Sequence, residues 1–107
     1  MKTGLIDKRF TVPVDVILDL EELAPLFGSH GRAIEIGTEL LVSMRRKPKV
    51  KESQERVAAQ TYSITPLTLD RIQHLLLGYE NHGTVLRAVT RVLRERLLTT
   101  ARLKPAR

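Results

Sequence analysis

Cysteine and tryptophan are absent from this chain of 107 residues, and phenylalanine and tyrosine occur only twice each. Without cysteine there is neither a disulfide framework nor a thiolate metal site, and the chain suits a reducing cytoplasm. No apolar run approaches the roughly 20 residues that a membrane span requires. The opening MKTGLIDKRF lacks the long apolar segment of a secretory signal, so no membrane association and a cytoplasmic location are expected. Catalytic patterns are equally missing: there is no Gly-rich phosphate loop, nucleophile elbow or HExxH, and the spacing of Thr, His and Asp suggests no triad. His30 and His82 have no carboxylate pattern around them that would make a metal pair, and His74 falls on a helix facing solvent. Neither an enzyme, a cofactor nor a metal is expected.

What the chain does have is an excess of positive charge, unevenly placed. The formal net charge is +6, made of −1 over residues 1–46, +2 over 47–60 and +5 over 61–107. A polyanion is the partner such a balance implies.

It also has two kinds of hydrophobic period. Thr61-Tyr62-Ser63-Ile64-Thr65 alternates, which predicts a strand with Tyr62 and Ile64 on one face and three hydroxyls on the other. Pro66 then fixes φ where a helix can start, with Thr65 as its N-cap, and Leu69, Ile72, Leu75, Leu76 and Tyr79 recur at helical spacing. After Glu80-Asn81-His82-Gly83, a second helix carries Leu86, Val89, Val92, Leu93 and Leu97 inside and Arg87, Arg91 and Arg94 outside.

The same plan occurs earlier in the chain. A shift of 52 residues sets Phe10 on Tyr62, Val12 on Ile64, Leu20 on Ile72, Phe27 on Tyr79, His30-Gly31 on His82-Gly83, and Leu41 on Leu93. Aromatic, apolar and turn positions agree in type, which points to an internal duplication. Lys8–Val12 is the earlier strand, with Phe10 and Val12 inward and Arg9 and Thr11 outward. Pro13 opens the helix that follows, Pro25 predicts a kink or an early end near Ala24, and Gly37 inside the next helix suggests a close helix contact. Glu21 and Glu22 make one surface acidic, expected to face away from a nucleic acid.

Residues 1–7 look like a flexible arm and 99–107 like a basic mobile tail. Between the repeats runs a polar linker in which residues 54–59 could form a turn or two of helix. This gives a first unit over 1–46, a basic linker over 47–59 and a second unit over 60–107, sharing one core. A lone strand has no partner, so the two are expected to pair antiparallel and bury Phe10, Val12, Tyr62 and Ile64 against four helices.

The order strand, helix, turn, helix, with the run KRFTVPVDVILDLEELAPLFG, resembles the ribbon-helix-helix (Arc/MetJ/CopG) DNA-binding family, here twice over about residues 8–98. The resemblance implies a mainly α fold, an intramolecular pseudo-dimer with a two-stranded antiparallel β-ribbon and four helices. It implies double-stranded DNA as the partner, entered through the major groove. By position, Arg9, Thr11, Thr61, Ser63 and Thr65 become base readers of an imperfect palindrome. The resemblance also implies that the helix starts at Ser29, His30, Gly31 and Arg32, and at Asn81, His82, Gly83 and Thr84, hold phosphates, with Lys8 beside them. The same residues equally suit capped turns in which Gly supplies an unusual φ. A transcriptional repressor is the leading expectation, at the bacterial nucleoid or on a plasmid. A relaxosome accessory protein of the TraY kind and an antitoxin-type interaction module are the alternatives, and a homodimer of whole chains stays open.

Overall fold

The computed structural model describes residues 4–50 and 56–103. Six elements follow one another: β1 (Ile6–Pro13), α1 (Val14–Phe27), α2 (His30–Ser43), β2 (Val57–Ile64), α3 (Pro66–Leu75) and α4 (His82–Leu103). The chain is mainly helical, and among the described residues the one sheet is the antiparallel pair β1-β2.

Alternation decides which face of the sheet is buried. Phe10, Val12, Tyr62 and Ile64 all point into the core, whereas Arg9, Thr11, Thr61 and Ser63 are exposed. The ladder sets Arg9 opposite Thr61, Thr11 opposite Ala59 and Asp7 opposite Ser63. A slip of one residue would turn the four apolar side chains to water, so burial fixes the register.

Each strand leads straight into a helix. Pro13 has no side-chain donor or acceptor for capping, and the Val14 amide instead donates to the Arg56 carbonyl at 2.8 Å. Thr65 caps α3 through its hydroxyl, which accepts from the Thr68 amide at 3.1 Å, and Pro66 begins the first turn. Val16, Leu20 and Leu23 of α1, and Thr68, Ile72 and Leu75 of α3, are the buried stripes. Gly28, at φ 105°, takes the left-handed conformation that ends α1.

Helix α1 runs through Pro25 to Phe27 and does not stop near Ala24. Proline removes the amide that would bond the Glu21 carbonyl, but Pro25 and Glu21 are both exposed, so water can satisfy that carbonyl. Three further boundaries differ from the sequence reading. Strand β1 starts at Ile6, inside the expected arm; β2 starts at Val57, so residues 57–59 are strand and neither linker nor helix; α4 continues to Leu103, well into the expected tail. The remainder of the arm (residues 1–3), the linker centre (51–55) and the chain end (104–107) lie outside the described residues.

Equivalent features recur at an offset of 52 residues. The starts of α1 and α3, Val14 and Pro66, differ by 52, as do those of α2 and α4, His30 and His82. The Phe10 ring lies 5.2 Å from that of His82, and the Tyr62 ring 5.8 Å from that of His30. Thr38 donates to the Glu35 carbonyl at 3.0 Å and Thr90 to the Arg87 carbonyl at 2.8 Å. Gly37 faces Val89, itself 52 residues on, so closely that a Cβ on Gly37 would stand 2.5 Å from Val89 Cγ1 and 3.4 Å from its Cα. The close helix contact anticipated at Gly37 is therefore the crossing of α2 over α4.

Ion pairs break this regularity. Arg87 donates to both carboxylate oxygens of Asp15, at 3.0 and 2.9 Å, and Arg94 bonds Asp19 at 2.6 Å and Glu22 at 2.8 Å. They strap α1 to α4. The positions 52 away, Leu67 for Asp15 and Val42 for Arg94, cannot form such a strap between α3 and α2.

Gly37→Ala is expected to destabilise the fold by about 1–3 kcal/mol in urea unfolding, because overpacking at the crossing outweighs the gain in helix propensity. In a double-mutant cycle with Val89→Ala the two changes should couple favourably; strict additivity would mean the crossing is loose. Tyr62→Ala should cost about 3 kcal/mol or more through the cavity it leaves. The Tyr62 hydroxyl is buried with no hydrogen-bond partner among the described residues, so Tyr62→Phe should hold or raise stability at neutral pH. Burial and the nearby Glu21 carboxylate push this phenol from 10.0 up to about 12. The native state thus keeps its proton longer than the unfolded chain, so this contribution is intact below pH 10 and is lost between pH 10 and 12. Its size is about 2–3 kcal/mol, and Tyr62→Phe should lack that alkaline loss.

Candidate nucleic-acid interface

The outward side of the ribbon presents Asp7, Arg9 and Thr11 from β1 and Ala59, Thr61 and Ser63 from β2, with the exposed Val57 beyond them at the start of β2. Four of the five readers inferred from sequence are among them. Thr65 is not, because β2 ends at Ile64 and the Thr65 hydroxyl is committed to the start of α3, 2.8 Å from that of Thr68. Asp7 and Ala59 were missed. Extending the period of two by one step at each strand start would have found them, but Asp7 had been counted with the arm and Ala59 with the linker. Asp7 is held in place, since the Ser63 hydroxyl donates to its carboxylate at 2.5 Å.

Each end of the ribbon abuts a helix start. At one end, Ser29, His30 and Gly31 at the start of α2 line a recess with Thr61, Tyr62 and Ser63; at the other, Asn81, His82, Gly83 and Thr84 of α4 line one with Arg9, Phe10 and Thr11. Ser29 caps α2 by accepting from the Arg32 amide at 3.0 Å, and Asn81 caps α4 by accepting from the Thr84 amide and hydroxyl, each at 2.9 Å. The first amides of each helix, those of His30 and Gly31 and of His82 and Gly83, have no acceptor within their own helix, and the dipole there favours an anion.

The glycines serve the ribbon first. A Cβ on Gly31 would run into the Ser63 carbonyl, and one on Gly83 would stand 2.8 Å from Pro13 Cδ and 3.3 Å from the Thr11 carbonyl. Only glycine lets each helix start sit against the opposite strand. Close approach of a ligand is not needed to account for them.

Charge differs between the two recesses. The α4 recess holds Arg9 and Arg87, and Lys8, half-buried on the inward side of β1, acts on His82 at its edge. The α2 recess holds Glu21. That acid was expected on a surface turned away from nucleic acid, and it instead lies beside the ribbon; Glu22 is bound to Arg94. Arg32, at the α2 start, pairs with Glu35 at 2.8 Å. Burial and the Lys8 ammonium hold His82 below the usual histidine range.

Among the described residues no group of three or more His, Asp or Glu is gathered as a metal ion would require, and no helix is long and apolar enough to cross a membrane. No protein-family model, curated protein or solved structure matches the chain.

The lowered His82 predicts an acid sensitivity. Its neutral form is favoured in the native state, so its contribution is present above the unfolded value of 6.5 and declines as pH falls below that, through the native value. Denaturant unfolding between pH 7 and pH 5 should show a decline that His82→Gln reduces; identical slopes in the two proteins would show that Lys8 and burial do not act on this ring.

Proposed function

We propose that the chain is an intramolecular pseudo-dimer of two ribbon-helix-helix units that binds duplex DNA by laying the outward face of β1 and β2 in the major groove, in the role of a transcriptional repressor. One observation carries this reading: an exposed, mostly polar two-stranded ribbon is bracketed at both ends by capped helix starts, and the pieces that bracket it are 52 residues apart. A groove about 12 Å wide admits such a ribbon. Helix starts beyond its two ends would then meet the phosphates that flank the groove.

Within this reading, Arg9 is the strongest reader, since its guanidinium can donate to O6 and N7 of one guanine. Thr11, Thr61 and Ser63 offer hydroxyls that donate or accept, and a threonine methyl can pack on thymine. Lys8, His30, Gly31, His82 and Gly83 belong to the phosphate set. Arg32 is a weaker member because Glu35 partly neutralises it. Repression follows from occupancy: a protein seated in the groove excludes others from the same base pairs.

The experiment is a titration of fluorescent duplexes, enriched from a random pool, at several salt concentrations. Each neutralised phosphate contributes a slope of about −0.9 in log K against log salt. Lys8→Ala should reduce that slope by about one while leaving sequence preference unchanged. Arg9→Ala should do the reverse, lowering discrimination between sites by about 1–3 kcal/mol. A flat salt response, or an unaltered preference in Arg9→Ala, would rule out the assignment.

A further inference from the structure

The two ends of the ribbon are chemically different, and this has a consequence for what it reads, provided the major-groove reading holds. Arg9 lies opposite Thr61, its counterpart 52 residues on, so the ribbon's centre falls at that pair. One step outward on one side stand Asp7 and Ser63; one step outward on the other stand Thr11 and Ala59. Under the same offset Thr11 corresponds to Ser63 and Asp7 to Ala59. Both ends therefore carry a hydroxyl, but only one carries an acid.

The acid is fixed where it stands. The Ser63 hydroxyl donates to the Asp7 carboxylate at 2.5 Å across the strand pair, which holds it over the outward face. Its surroundings share its sign: the recess at this end contains Glu21, whereas the recess at the other contains Arg9, and Arg87 there is paired with Asp15. A carboxylate directed into a groove is stabilised only where a base edge offers a donor. Cytosine does so through its N4 amino group with no acceptor beside it on its own edge. Adenine offers N6 but sets the N7 acceptor next to it, which repels the second carboxylate oxygen, and the guanine edge, N7 and O6, consists of acceptors, as does thymine O4. A wrong base here leaves a desolvated charge with the Ser63 hydroxyl as its one donor and an acceptor facing it, which discriminates more strongly than a missing attraction. At the far end, the Ala59 methyl can meet only an apolar edge, and the thymine methyl is the one the groove provides.

We propose that the ribbon reads its site in one direction: the Asp7-Ser63 end requires a cytosine amino group, Arg9 sits at the centre, and the Thr11-Ala59 end accepts a thymine methyl. Asp7 is then a specificity-determining residue, and the polarity of the bound protein on DNA is set by it.

Selection from random duplexes with three proteins tests this: the parent chain, Asp7→Ala and Ala59→Asp. Both positions are exposed on the sheet, and thermal melts of each variant check that the fold is kept. The parent should enrich a consensus lacking two-fold symmetry, with cytosine at one outer position. Asp7→Ala should lose that cytosine preference by about 5- to 100-fold and leave the centre and the far end unchanged. Ala59→Asp, which sets an acid beside the Thr11 hydroxyl as Asp7 stands beside Ser63, should add cytosine at the mirror-related position and make the consensus more symmetric. A palindromic parent consensus, or a cytosine preference that survives Asp7→Ala, overturns directional reading alone. Failure of the parent to enrich any duplex overturns the major-groove reading and this inference with it.

Discussion

The pairing of β1 with β2 is the constraint on which the rest of the structure depends. Among the described residues neither strand has a second neighbour in the sheet, and they belong to segments separated by two helices and a long connection. A two-stranded ribbon alone is marginal in water. Here it is stable because its inward side chains, Phe10, Val12, Tyr62 and Ile64, form the floor of a core roofed by helices. The dependence is mutual, since each helix start leans on the opposite strand: Gly31 on the Ser63 carbonyl, and Gly83 on that of Thr11. These contacts and the ladder specify the same register, so a shift in either would unseat the other. Because the pairing is so distant in sequence, closing it carries a loop-closure cost that the local contacts within each helix do not.

The parts of this arrangement that follow from period alone were legible in the sequence. Alternation through Phe10-Val12 and Tyr62-Ile64 gave the buried face of each strand, and the 52-residue offset located both helix starts. What period cannot report is where a pattern fades. Residues 57–59 are Val, Ala and Ala, too weak in strand preference and too near a charged run to be told from a linker, yet they pair with β1 because the other strand is already in place. Thr65 continues the alternation, but the residue before a proline is extended whether or not a strand goes on, and its hydroxyl finds a nearer use as a helix cap. Pro25 failed as a helix breaker because it falls in the last turn on the wet side, where a lost backbone bond costs little.

Charge was the least legible property. Counting basic residues in the second half pointed to a polyanion as the partner. Two of those arginines, Arg87 and Arg94, are bound to Asp15, Asp19 and Glu22 of α1, so part of the excess holds helices together. These pairs are partly exposed, and such pairs contribute only modestly to stability, about 0–1 kcal/mol each. Their larger effect is on the field outside: a guanidinium facing a carboxylate is a weak lure for phosphate. The field at the ribbon is set instead by few groups, Lys8 and Arg9 against Asp7 and Glu21, and a net charge of +6 says little about their balance.

That balance also shows what is gained when both halves reside in one chain. Two identical subunits must present identical ends, because every residue recurs across the two-fold axis. Here each such position is a separate residue. Asp7 answers to Ala59, Glu21 to Gln73, and Arg87 to Glu35, and each pair differs in charge. The positions that are alike are those the shared geometry needs: Gly31 and Gly83 against the strands, Thr38 and Thr90 on the helix carbonyls, His30 and His82 against the two aromatic rings. Core constraints fall equally on both halves because both face one interior. The outward face has no such tie, so its two ends are free to differ.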